Sequence, residues 1–275
     1  AHGRIRVGYL SADFHNHATA VPMAELFEIH DRTRFEWYAY SFGPERTGPM
    51  RQRIERAFDH FHEVGHLTDR DIAQRVRDDE IDIAVDLKGL TLHSRPGIFA
   101  YRPAPIQVAY IGYPGTSGLP FIDYVIGDHV VTPPGHEDWY SEKLVRLPHS
   151  YQVNDRHRKV ASRTPSRTAM GLPEVGFVFC CFNNNYKITP QMFDVWMRLL
   201  QRVDGSVLWL LADTDEVKPH LWRQAQTRGV SPDRLVFAPR VAVAEHLARH
   251  RLADLFLDTI PVNAHTTASD ALWVG

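Results

Sequence analysis

Short apolar runs recur along this chain, separated by stretches whose apolar positions repeat at helical spacing. Ile5-Arg6-Val7-Gly8-Tyr9-Leu10 predicts a first strand, residues 20–29 a helix, and the aromatic-rich residues 35–40 a second strand. Thr68-Asp69-Arg70-Asp71 has the form of a capping box, with Ile72 and Val76 one helical turn apart behind it. That helix leads into residues 81–87, a buried strand, and residues 107–111 and 124–126 predict two more. Strand–helix–strand alternation of this kind builds a parallel sheet with helices on both faces.

Residues 148–172 interrupt the pattern with Pro148, Pro165 and Gly171 and the charged run Asp155-Arg156-His157-Arg158-Lys159. They read as a linker, residues 151–172, between a lobe over 1–150 and a second over 173–275. Strands are then expected at residues 177–182, 206–211, 235–238 and 255–258, with helices at 189–202, 219–228 and 243–249. A last helix opens at Thr266 and has no strand to return to, so the second lobe is expected to be incomplete and the chain part of a longer protein. There is no short repeat and no low-complexity tract. The fold class expected is α/β with two doubly wound, Rossmann-like domains.

Composition narrows the function. With 275 residues, 44% hydrophobic, the chain can bury a substantial core. A net charge of −2 argues against a broad nucleic-acid or anionic-membrane surface. No apolar run reaches membrane-spanning length and no signal peptide is visible. Cys180 and Cys181 are neighbours in a strand, point to opposite faces, and are expected as reduced thiols in a cytoplasmic protein.

Ligands in doubly wound sheets lie beyond the carboxyl ends of the strands. Four polar loops fall there: residues 11–19, 112–118, 183–187 and the His265 loop. His265-Thr266-Thr267 opens a helix, where free N–H groups, the helix dipole and two hydroxyls make an anion site. Asp270, one turn on, is placed to take a ribose hydroxyl pair. Lys187 puts an ammonium near a helix start, as a diphosphate requires; an ordinary capped helix with a solvated lysine would look the same in sequence. His17 is a candidate general base, with Asp13 either orienting it or taking the proton itself; both can equally be loop-capping residues. The glycine loop at 112–118 allows close backbone approach to a ligand and matches neither a Walker loop nor a dinucleotide fingerprint. Asp213-Thr214-Asp215 has the form of a metal-binding pair on a nucleotide sugar, or of plain helix caps. No Cys-x-x-Cys or His-Glu-x-x-His pattern supports zinc.

Taken together, Asp13-Phe14-His15-Asn16-His17, Arg102-Pro103-Ala104-Pro105-Ile106-Gln107, Gly112-Tyr113-Pro114-Gly115-Thr116-Ser117-Gly118, Tyr186-Lys187-Ile188, Ser206-Val207-Leu208-Trp209-Leu210-Leu211 and His265-Thr266-Thr267 resemble the catalytic region of the O-GlcNAc transferases, glycosyltransferase family 41, of bacterial type. The resemblance implies a GT-B architecture, two lobes facing a cleft, and inverting, metal-independent transfer of GlcNAc from UDP-GlcNAc to protein Ser or Thr hydroxyls. No cofactor is implied, and neither nucleic acid nor membrane is a partner. It further implies that Lys187, Thr266 and Thr267 hold the diphosphate, with His265 at the same helix start. Asn184, in place of a family glutamine, would also reach phosphate. Asp270 would bind ribose, and the Val241 backbone and His246 would lie at the uracil. Gly112 and Pro114 would face the sugar, and His17, Asn16 and Thr19 the reacting centre. Val243 replaces a family lysine near the uracil, and Asp82 stands where animal members have a histidine. Tetratricopeptide repeats would lie upstream, outside this chain. The rival expectations are a UDP-sugar-binding protein without transfer, favoured by the lack of a clear base with an orienting partner, and another GT-B enzyme such as a sugar epimerase.

Overall fold

The computed structural model describes residues 2–44, 46–212 and 214–275, which form two compact units, residues 1–157 and 158–275. The first is built on seven parallel strands: β1 (Ile5–Ser11), β2 (Phe35–Ser41), β3 (His60–Glu63), β4 (Ile83–Asp86), β5 (Ile106–Tyr110), β6 (Tyr124–Asp128) and β7 (Lys143–Leu147). Their order across the sheet is β3-β2-β1-β4-β5-β6-β7. Helices α1 (Ala20–Ile29) and α2 (Pro49–Arg56) cover one face and α3 (Asp69–Asp78) and α4 (Gly97–Ala100) the other. Met23, Phe27 and Ile54 therefore pack with Val7, Tyr9 and Trp37, whereas Ile72, Val76 and Phe99 pack with Leu10, Tyr38 and Tyr40. The capping box forms in part, because the Thr68 side chain accepts the Asp71 amide at the start of α3.

The strands missed in the sequence, β3 and β7, are the two edges of this sheet. Each has one exposed rim and carries charged or imidazole side chains (His60, His62 and Glu63; Lys143 and Arg146), as edges do when they resist further pairing. Helix α2 was missed because its surface is mostly Arg and Gln, with only Arg51 and Ile54 buried.

The second unit has four parallel strands, β8 (Val178–Cys181), β9 (Val207–Leu211), β10 (Leu235–Ala238) and β11 (Leu255–Phe256), in the order β10-β9-β8-β11. Helices α5 (Pro190–Arg202) and α6 (Val217–Gln226) cover one face; α7 (Val243–Arg249) and α8 (Thr266–Val274) follow β10 and β11. Strand β8 is buried on both faces. Phe179 and Cys181 join Trp196 and Leu200 on one side, Cys180 and Phe182 join Trp209 on the other, and both thiols are free and buried. The two cysteines thus point to opposite faces of the strand, as expected.

Residues 151–157, read in the sequence as linker, are packed into the first unit. The Tyr151 amide donates to Asp128 and its carbonyl accepts from Tyr110. Asp155, almost fully buried, is held at 2.5 Å by Arg53. Charge and proline content did not distinguish a free linker from an irregular segment held by side-chain ion pairs. No helix among the described residues is long and apolar enough to cross a membrane.

Candidate active site

In each sheet the chain reverses its direction of winding once, and the loops on either side of that reversal open a crevice beyond the strand ends. In the first unit the reversal lies between β1 and β4. The loop after β1 carries Asp13, Asn16, His17 and Thr19. Its path is fixed from below: buried Arg51 donates to the Phe14 carbonyl at 3.1 Å and to Ser41 at 3.0 Å, and the Asp13 amide donates to the Ser11 hydroxyl. Asn16 is exposed and Thr19 half-buried.

Asp13 and His17 come together, with Asp13 Oδ2 3.4 Å from His17 Nδ1. A third residue joins them that the sequence did not reveal. Lys88, from the loop after β4, is buried and places Nζ 2.5 Å from the same Asp13 oxygen. Burial holds the His17 imidazole below its usual range; Asp13 pulls the other way, and Lys88 and His15 reinforce burial. The ring is therefore neutral at pH 7. Thr19 N–H donates to Nδ1 at 3.2 Å, which leaves the hydrogen of the neutral ring on Nε2. Asp13 is buried and already paired, so of the two candidates His17 is the one open to solvent, with a side chain 39% exposed.

The glycine loop after β5 lies against the same region. A Cβ on Gly112 would sit 2.0 Å from the Leu87 carbonyl oxygen and 3.0 Å from Lys88 Cα. Gly112 is thus required for the loops after β4 and β5 to touch, and this close approach is to backbone. Glu142, buried, anchors the far side of the loop, accepting from the Ser117 amide at 2.8 Å, from the Ser117 hydroxyl, and from Thr116 at 2.7 Å. Burial alone would raise the Glu142 pKa, but these hydrogen bonds outweigh it and hold it low. Pro114 is half-buried, its carbonyl accepting from Tyr140. Asp82 lies at the opposite, amino-terminal end of β4, tied to His2 and to the Arg6 amide.

In the second unit the reversal falls between β8 and β11, so the loops after these strands, residues 182–189 and 257–265, come together. Lys187 Nζ donates to the Asn263 carbonyl at 2.9 Å. Asn183 bridges the loops, accepting from the Thr267 hydroxyl and donating to Thr259 at 2.9 Å. Asp258 accepts from the Thr259 and Ala264 amides at 2.7 and 2.6 Å and so shapes the turn into α8. Burial, reinforced by Lys187, keeps His265 below the usual imidazole range, so it is neutral at the helix start. Lys187, His265, Thr266 and Thr267 therefore form one cluster. The N-cap residue of α8, His265, makes no side-chain capping hydrogen bond, and the positive end of the helix dipole lies at this start.

Asp270 lies elsewhere on α8, buried and paired with Arg158, with His246 Nε2 3.8 Å away. Burial raises its pKa despite Arg158. Arg249, also buried, donates to His246 Nδ1 at 2.6 Å and stacks over Phe182. Burial first, then the neighbouring His250 and arginines, push His246 down to about 3. Asp270 and His246 are therefore adjacent; neither Arg158 nor Arg249 was legible as their partner. Asn184 is exposed beside Lys187, Val241 is exposed before α7, and Val243 is the exposed first residue of α7. Asp213 lies outside the described residues, and among those described no group of three or more His, Cys, Asp or Glu is arranged to hold a metal.

A family model, glycosyl transferase family 41, matches residues 1–164 and 159–275. A probable UDP-N-acetylglucosamine–peptide N-acetylglucosaminyltransferase of Arabidopsis thaliana is 40% identical over 277 positions, covering 99% of this chain and 28% of its own length. The Caenorhabditis elegans UDP-N-acetylglucosamine–peptide N-acetylglucosaminyltransferase is 28% identical over 384 positions, more than this chain has residues, so the worm protein carries inserted sequence absent here. This chain spans about a third or less of these relatives. Among solved structures, an O-GlcNAc transferase mutant from Thermobaculum terrenum superposes with a TM-score of 0.89 at 33% identity, over 98% of this chain and 51% of that one. A Rickettsia africae glycosyltransferase shares the fold alone, with a TM-score of 0.59 at 10% identity. The two Rossmann-like parallel sheets are of the GT-B class, and with one family model accounting for both of them this chain belongs to glycosyl transferase family 41.

Proposed function

We propose that this chain is the catalytic region of an inverting, metal-independent protein O-glycosyltransferase that moves GlcNAc from UDP-GlcNAc to Ser or Thr hydroxyls. The observation that carries the reading is the cluster of Lys187 with His265, Thr266 and Thr267 at the start of α8, at the winding reversal of the second sheet. An ammonium and a row of helix N–H groups supply what a departing diphosphate needs as its charge grows. Asp270 and His246 supply a carboxylate for ribose and a ring for the base. The names of the plant and worm relatives support the same donor and a peptide acceptor.

In the first unit, His17 is the side chain we assign to the acceptor hydroxyl. Its Nε2 is a hydrogen-bond donor in the resting tautomer, so it orients an oxygen. It accepts a proton there only in the other tautomer, with the ring hydrogen on Nδ1 facing Asp13. A neutral, solvent-open histidine held at Nδ1 by the Thr19 amide weakens the case for a binding protein that has lost transfer, and the family match disfavours an epimerase. Two reduced, buried thiols suit the cytoplasm.

The test is to incubate the protein with UDP-GlcNAc and Ser/Thr-containing peptides, reading UDP release and peptide mass, with and without chelator. Chelator-resistant addition of one N-acetylhexosamine to peptide is expected. Calorimetric UDP binding without UDP release from any peptide would instead favour the binding protein. Conversion of the donor sugar to its epimer without acceptor would favour an epimerase.

A further inference from the structure

Lys88 has no place in the reading above, yet it is almost fully buried at the centre of the first site. Its surroundings set up a competition over one ring nitrogen. Thr19 N–H, 3.2 Å from His17 Nδ1, needs that nitrogen bare. Asp13 Oδ2, 3.4 Å from the same nitrogen, needs it protonated. The two arrangements exclude each other, and they present opposite chemistry at Nε2: a donor in the first, an acceptor in the second. Lys88 Nζ sits on the contested Asp13 oxygen at 2.5 Å, nearer than the ring. A carboxylate satisfied by a buried ammonium has little pull left for a neutral N–H.

We propose that Lys88 is a positioning residue that claims Asp13, leaves His17 Nδ1 to the Thr19 amide, and so fixes His17 as the neutral Nε2–H form. This rests on the reading of His17 as the side chain facing the acceptor. The charged and titratable groups around the ring are Asp13 and His15 on its own loop and Lys88 from the loop after β4. Asp86, also buried, holds the latter loop in place by accepting the Lys88 and Gly89 amides at 2.8 and 3.1 Å. Gly112 lets the loop after β5 close against Lys88 from the other side. Lys88 is thus locked by two loops while its charge acts on a third.

The test is ¹⁵N NMR of the imidazole rings across pH, with a His17→Gln variant to assign the His17 signals. The unsubstituted protein should show His17 neutral at pH 7 with hydrogen on Nε2. In Lys88→Met, Asp13 is released: the hydrogen should move to Nδ1 and the titration midpoint should rise by roughly 1–3 units, the effect of an unshielded opposite charge at this distance. The double variant Lys88→Met/Asp13→Asn, which removes both charges, should return the ring to Nε2–H with a low midpoint. If the single variant does not fold, Lys88→Gln, which removes the charge and keeps a polar side chain, should make the same change of tautomer and midpoint, and an unchanged ring there would overturn the proposal. Unchanged tautomer and midpoint in Lys88→Met, or an Nδ1–H ring in the double variant, would overturn the proposal. If peptide transfer is measured, the acid limb of kcat/KM should move to higher pH in Lys88→Met by the same shift. A protein that releases no UDP would refute the proposed function, and the ring spectra would still judge Lys88.

Discussion

Replacing Lys187 with alanine separates catalysis from folding. In the structure this lysine makes one hydrogen bond, to the Asn263 carbonyl, at a partly solvated position. Losing it should cost about 1 kcal/mol of stability, a fall of about 4 °C in the melting temperature for a unit of this size. The same ammonium, aimed at a departing diphosphate, is worth more in the transition state. Deleting one well-placed electrostatic donor typically costs about 2.7–4 kcal/mol, or 10²–10³ in kcat. The variant should therefore lose kcat a hundredfold or more while circular dichroism reports a native fold. UDP release under saturating UDP-GlcNAc and peptide measures the first quantity, and thermal melts measure the second. A kcat within tenfold of the parent would refute the placement of Lys187 at the diphosphate. So would a loss of kcat that merely tracks unfolding.

Acid should weaken the second unit. His246 and His250 are pushed down to about 3 and about 4, both chiefly by burial, while unfolded histidines titrate near 6.5. Their folded pKa values are depressed, so their contribution is complete above about pH 6.5 and is lost as pH falls toward 4, by several kcal/mol in order of magnitude. Urea melts at pH 7 and pH 5 check this, and equal midpoints would contradict it. Gly112→Ala should destabilise the protein by about 1–3 kcal/mol, because its Cβ meets the Leu87 carbonyl oxygen at 2.0 Å; an unchanged melting temperature would show that the loops can part freely. Glu142→Ala should release the loop at 116–117, seen as faster hydrogen exchange at the Ser117 amide, which donates to that carboxylate; unaltered protection would mean that the loop is held by something else.

How much was legible in the sequence follows from where each signal resides. Strands β1, β8 and β9 are short apolar runs buried on both faces, so any reading of hydrophobic pattern finds them. Helix α5 is amphipathic, with Thr189 capping it and Pro190 at its first turn, and both ends can be read locally. Edge strands β3 and β7 carry no such pattern, because half of each faces solvent. The loops bearing His17, Lys187 and Thr267 were found because they follow strands and open helices, a relation that is local in the chain.

Amino-acid order alone therefore determined the alternation of strands and helices, the two-sheet class, the separation of Cys180 from Cys181, and the loops where chemistry sits. Each of these depends on residues within a few positions of one another. Only the tertiary structure decided which strands are neighbours. That choice put β4 beside β1, bringing Lys88 to Asp13 across 75 positions, and brought Arg158 to Asp270 across 112. Charges so far apart meet only after backbone pairing has been completed, and burial then sets their strength. A lysine in a loop and a lysine buried on a carboxylate have the same letter, and the difference lies in the water that folding removes.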